Sequence, residues 1–135
     1  DTFSGDLIEA MRWSIAMQRI DRQGNVLDAR TVLDWGTREG AAALGMGSEF
    51  GSLEIGKRAD IVLLDNRSPS LAPLIDGYGV LVHSASGRDV DTVIVGGRIV
   101  LAGGQPLNVD GAEIVTRAQS VADRLWQRAG RAPIG

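Results

Sequence analysis

At 135 residues, 44% hydrophobic and 23% charged, with a formal net charge of −3, the chain has the composition of a soluble globular protein of about one domain. The absence of cysteine excludes disulfides, thiolate nucleophiles and cysteine-held zinc, and points to a reducing compartment, the cytoplasm. Mild acidity, with Lys57-Arg58 as the one pair of adjacent cations, argues against nucleic acid as a partner, and no apolar run reaches the roughly 18 residues of a membrane span.

The chain begins at Asp1 rather than at a methionine, so it reads as a processed or truncated product. Ser4 is placed to cap a helix from about Asp6 to Ile20, with Asp6 at the positive end of the helix dipole. Along it Glu9, Arg12 and Arg19 share one face, and Leu7, Ile8, Met11, Ile15 and Met17 form a broad apolar stripe that requires a large partner surface. Asp28 is a cap for a short helix through about Trp35, and Thr37 for another running through REGAAALG, whose small residues permit close packing.

From Gly51 onward the period changes. GSLEIG is turn material, and ADIVLLD is a short continuous apolar run expected of a strand buried on both faces. RSPSLAPLIDGYG is punctuated by Pro and Gly as a loop, and VLVHSA reads as a weaker strand. In VDTVIVGGRIVLAGG two β-branched runs flank Gly96-Gly97, the pair a two-residue hairpin turn accepts. Asp110 and Glu113 form an aspartate version of the capping box ahead of Ile114, Val115, Ala118, Val121, Ala122, Leu125 and Trp126 at helical spacing.

Few residues can carry chemistry. His83 is the single imidazole, whereas catalytic zinc takes three protein ligands, so the expected role of His83 is a hydrogen-bonding residue at a strand end. Ser84 and Ser86 lie nearby, but on a strand His83 and Ser84 point to opposite faces, and no serine-hydrolase motif surrounds them. GGRIVLAGG lacks the Gly-Lys-Ser/Thr ending and the following helix of a phosphate loop. Asp60 and Asp65 bracket the ADIVLLD strand and are expected to accept bonds from backbone N–H groups of turns. These residues alone make no complete active site.

EIGKRADIVLLD followed downstream by VDTVIVGGRIVLAGG resembles the tail of the metal-dependent amidohydrolase superfamily, in particular its cytosine deaminase, guanine deaminase and triazine hydrolase-like branch. SGDLIEAMRWSIAMQR resembles the helix after the last barrel strand of that family, and ARTVLDWGTREGAAALGMGSEFGSLEIGKRAD the helix pair leading into its C-terminal strands. The resemblance implies a mixed α and β fold: the C-terminal part of a (β/α)₈ TIM barrel plus a small composite β-sandwich. It is incomplete as a barrel, since a barrel alone takes about 250 residues. Residues 1–50 would supply the last barrel helices, 51–109 the C-terminal sandwich strands, and 110–130 an amphipathic helix. The Gly-Lys-x-Ala-Asp turn would open the sandwich contribution, Lys57 and Arg58 staying solvated and Ile61 to Leu64 entering its core.

The same resemblance implies a divalent metal, zinc or iron, in the complete enzyme and none bound by this chain alone, because the family's His-x-His pair and its mid-barrel histidines are absent here. Asp1 is the sole candidate for the family's last metal ligand, an aspartate after the eighth strand that also handles protons for the metal-bound hydroxide. The implied function is hydrolysis of a C–N or similar bond of a small nitrogen-heterocyclic substrate. By themselves the 135 residues would be inactive, and the missing N-terminal barrel segment or self-association would cover their apolar surface. A non-catalytic module binding a partner through residues 7 to 17 is the alternative.

Overall fold

A computed structural model of the chain describes residues 5–21 and 27–130. They form two compact units divided between Gln105 and Pro106. The first helix, α1, spans Leu7–Asp21. Its cap is Asp6, whose Oδ1 accepts the Ile8 N–H at 2.9 Å and the Glu9 N–H at 3.3 Å. Ser4, the expected cap, lies outside the described residues.

At 100° per residue, Ile8, Met11 and Ile15 fall on one side of α1 and Trp13, Met17 and Ile20 on the other. The first set packs inward, with Met11 and Ile15 buried, while Leu7 and the second set are exposed. The expected stripe therefore divides: Leu7 and Met17 do not join the core.

Asp28 caps α2, Ala29–Asp34, by accepting the Thr31 N–H at 2.7 Å. Thr37 starts no new helix. The chain widens without a break into a π-helical turn, Trp35–Glu39, and continues as α3, Gly40–Ala43. Inside a continuing helix the Thr37 hydroxyl donates back to the Leu33 carbonyl at 2.7 Å. The small residues do permit close packing: a Cβ on Gly51, at φ +100°, would lie 2.7 Å from the Ala41 Cβ.

The turn before the sheet is held by Lys57, contrary to its expected solvation. Its Nζ donates to the Gly47 carbonyl at 2.8 Å and the Ser52 hydroxyl at 2.6 Å, and lies 3.1 Å from Glu54. An ammonium has three protons to place, and three oxygens of one turn receive it. Arg58 is half-exposed, 3.2 Å from Asp60 and stacked over Phe50.

Strands β1 (Ile61–Leu64), β2 (Val90–Val95), β3 (Arg98–Ala102) and β4 (Gln105–Pro106) form one sheet in that order. Val62 pairs with Val93 and Val95 with Arg98, both antiparallel. Gly96 and Gly97 take φ of +56° and +78°, as a primed hairpin turn requires. β1 is not buried on both faces: Val62 and Leu63 are each about half exposed.

VLVHSA, expected as a weaker strand, is helical as far as His83. α4 spans Gly77–His83, begun by Asp76, whose carboxylate accepts the Tyr78 and Gly79 N–H groups at 3.1 and 3.0 Å. Helical geometry sets Val82, fully buried, against Met11, Ile15 and Val32, and this packing outweighs the strand propensity of Val-Leu-Val. In the second unit α5, Gly111–Arg128, starts at Asp110, which accepts the Ala112 and Glu113 N–H groups. Among the described residues no helix is long and apolar enough to cross a membrane.

Candidate functional site

Asp1 lies outside the described residues. His83 is the last residue of α4 and exposed, Ser84 is the α4 C-cap, and no hydrogen bond joins the imidazole to Ser84 or Ser86. Asp60 and Asp65 have the expected turn roles, accepting the Gly96 N–H at 2.6 Å and the Arg67 N–H at 3.0 Å. Arg67 also forks onto both oxygens of Asp65, which holds that carboxyl below the usual range.

The chief polar cluster is one sequence reasoning missed. Asp89 is the buried charged residue of the described chain. Its Oδ1 accepts the Ser68 and Ser70 hydroxyls at 2.6 and 2.5 Å, and its Oδ2 the Ser86 N–H at 2.8 Å and hydroxyl at 3.0 Å. Ser68 foremost, then Ser70, hold its pKa down to about 2. Ser86-Gly87-Arg88-Asp89 forms a capping box at the start of the 3₁₀ turn Gly87–Asp89. That S-x-x-D spacing was the signal available in the sequence.

Beside this turn lies a second polar junction. Asp6 Oδ2 accepts the Gly87 N–H at 2.7 Å, across 81 residues of sequence. Arg12 donates from Nε to the Val82 carbonyl at 3.1 Å and from Nη2 to the Ala85 carbonyl. The Gly87 N–H is the main reason the Asp6 carboxyl is lowered from its ordinary value, the helix-start N–H groups and Arg12 adding to it. The start of α1 is thus fastened to the corner that leads from α4 to β2.

No metal centre arises from these groups. Among the described residues no three His, Cys, Asp or Glu side chains gather closely enough to hold an ion, and Asp6 and Asp89 are already filled by N–H and O–H donors. The described residues therefore do not fit a metal. A shallow cleft between α2 and α4, lined by Leu33, Ile75, Tyr78 and Leu81, is open and mostly apolar, with Asp76 at its edge.

Comparison with known proteins identifies what such a chain belongs to. The profile of the amidohydrolase family matches residues 1–100. A 5-methylthioadenosine/S-adenosylhomocysteine deaminase of Desulforudis audaxviator is 41% identical over 122 residues, 89% of this chain and 28% of that protein. A 5′-deoxyadenosine deaminase of Methanosarcina acetivorans is 36% identical over 126 residues, 92% of this chain and 28% of that protein. An adenosine deaminase from Xanthomonas campestris, solved with bound zinc, superposes with a TM-score of 0.84 at 30% identity, covering 90% of this chain and 28% of the other. An atrazine chlorohydrolase from Arthrobacter aurescens shares the fold at 23% identity and a TM-score of 0.75, over 84% and 25% of the two chains. The chain spans a quarter or slightly more of the length of these relatives, and its mixed α/β arrangement fits part of a TIM-barrel enzyme. With the profile covering 100 of 135 residues, the chain belongs to the amidohydrolase family.

Proposed function

We propose that the chain is the C-terminal part of a metal-dependent deaminase that hydrolyses the exocyclic C–N bond of an adenine-type nucleoside. The observation that carries this reading is the 41% identity, over 89% of the chain, to a 5-methylthioadenosine/S-adenosylhomocysteine deaminase. The 5′-deoxyadenosine deaminase supports the same ring with a different 5′ group. In this reading residues 1–50 complete the barrel, 51–109 supply the accessory strands and 110–130 the closing helix. The divalent metal is held by residues that the described part of the chain does not contain. When bound, it supplies a water activated for attack near neutral pH.

Asp1 is the one residue of the chain proposed for the reacting centre, as metal ligand and proton-handling carboxylate. The test uses the complete polypeptide with 5′-methylthioadenosine, 5′-deoxyadenosine and adenosine, following ammonia release. Asp1→Asn keeps size and one acceptor oxygen but removes charge and basicity. Turnover should fall by about 10² to 10⁴, and metal per chain should fall less. Unchanged turnover in Asp1→Asn removes Asp1 from the site, and absence of ammonia from all three nucleosides refutes the substrate class.

The exposed face of α1 formed by Trp13, Met17 and Ile20 favours a second reading, a non-catalytic module that docks on a partner. Deaminase activity of the complete polypeptide decides against it.

A further inference from the structure

The two polar junctions described above share one short turn. Asp89 holds Ser86 by its N–H and hydroxyl, and Asp89 N–H returns to the Ser86 carbonyl at 3.0 Å. Gly87, the next residue, donates its N–H to Asp6. On its other side Asp89 is joined to the sheet, its carbonyl accepting the Asp65 N–H at 2.9 Å just beyond β1. Hydrogen bonds, joined by the Ser86–Gly87 peptide link, therefore run from the sheet through Asp89, Ser86 and Gly87 to Asp6, where α1 begins. Little space is left at the joint, because a Cβ on Gly87 would stand 3.2 Å from Asp6 Oδ2.

The two oxygens of Asp6 divide the work. Oδ1 caps α1 through Ile8 and Glu9, and Oδ2 reaches Gly87. A cap alone needs one acceptor oxygen, which Ser or Asn would provide. The second oxygen makes the long-range tie. We infer that Asp6 is a positioning residue: it fixes the point and direction at which the chain enters α1 against the 86–89 turn, and Asp89 keeps that turn in the shape that receives it. The sheet thus determines where α1 starts. The functional consequence rests on the proposed role of Asp1, because the segment carrying Asp1 runs directly into α1.

The experiment uses the complete polypeptide and four variants, read by amide hydrogen exchange and by steady-state kinetics. Asp6→Asn retains an oxygen for the cap and turns an amide NH₂ towards Gly87, which breaks the tie and also removes the charge that Arg12 attracts. Gly87→Pro removes the same donor from the other side and sets ring atoms against Asp6 Oδ2 in its place, a harsher change than Asp6→Asn; the turn itself accepts it, since position 87 is the first residue of the 3₁₀ turn and Ser86 is extended at φ −144°, ψ 171°, as a residue before proline prefers. Each should raise exchange of the first-turn amides of α1 by about tenfold while the β2–β3 hairpin stays protected. The double variant should exchange no faster than Gly87→Pro alone. Asp89→Asn should loosen both the 86–89 turn and the start of α1, and Ser70→Ala, a milder loss, should do so to a smaller degree if Asp89→Asn does not fold.

Unchanged exchange at the start of α1 in Asp6→Asn, or effects of Asp6→Asn and Gly87→Pro that simply add, overturns the tie. Loosening of the turn without loosening of α1 in Asp89→Asn or Ser70→Ala overturns the relay. In kinetics Asp6→Asn should lower kcat about tenfold or more with KM within about twofold, as a shift of a reacting group does. Full kcat in Asp6→Asn beside a crippled Asp1→Asn overturns the positioning role. Full kcat in both sinks the reading of Asp1 and the positioning role with it, and exchange alone then decides whether the tie exists.

Discussion

Asp89 shows how one carboxylate organises a loop. Four donors converge on its two oxygens from residues 68, 70 and 86, so removing its charge leaves more donors at the site than good acceptors. Asp89→Asn places an NH₂ against hydroxyl or N–H donors and should cost about 2–3 kcal/mol, as losses of hydrogen bonds to buried charges do. The shift in urea midpoint at neutral pH measures it. The folded pKa is depressed, to about 2. Its contribution is therefore complete above the unfolded value near 3.9 and is lost as pH falls through the folded one. Urea midpoints taken from pH 5 downward should fall more steeply between about pH 4 and pH 2 in the wild type than in Asp89→Asn; parallel curves would show that another carboxylate governs the acid limb. Asp6, Asp28, Glu54 and Asp65 are shifted in the same direction, so the variant should keep part of the slope. Asp89 was hidden in the sequence because one S-x-x-D looks like many others, and its partners Ser68 and Ser70 arrive from a loop whose path is a tertiary fact. Lys57 was hidden for a related reason: a lysine in a polar turn reads as solvated until the turn closes around its ammonium.

At the scale of elements, several features of local chemistry were legible. Asp28 and Asp110 cap helices as their positions indicate, and Gly96-Gly97 closes the hairpin. What depended on packing was not. Val80, Leu81 and Val82 carry strand propensity, and Gly77 and Gly79 look like loop punctuation, yet a buried place for Val82 and the Asp76 cap make α4 a helix. Thr37 offered a cap to a helix that did not need to restart. The continuous run of β1 could not disclose that its sheet leaves Val62 and Leu63 half exposed, since an unbroken apolar run carries no alternation from which to read a face. The hairpin makes the sharpest test at this scale. Gly97, at φ +78°, should lose about 1–2 kcal/mol on substitution by Val, because a β-branched residue is strained in that region. Gly96→Asn should stay within about 0.5 kcal/mol, Asn being at home in the first position of such a turn. Thermal melts of the two variants side by side check the contrast, and equal losses would mean the turn geometry is otherwise.

For the molecule as a whole, exposed apolar surface is the dominant feature of the first unit. Trp13, Met17 and Ile20 on α1, and Val62, Leu63, Val95 and Ile99 on the sheet, are large hydrophobic side chains in contact with water. Exposed apolar faces of this kind mark surfaces that bind a partner or associate. The 135-residue chain alone should self-associate or bind a hydrophobic dye, and sedimentation velocity with dye titration measures both. A monodisperse, dye-silent monomer would speak against the proposal that these faces are covered in a longer polypeptide. The same feature has an optical consequence. All three tryptophans, Trp13, Trp35 and Trp126, are among the exposed residues, so their indoles relax in water and their fluorescence should lie to the red and be open to a neutral quencher such as acrylamide. A surface that settles over α1 would dry Trp13, move its emission to the blue and shield it from the quencher, so the chain carries an intrinsic, label-free reporter of its own covering.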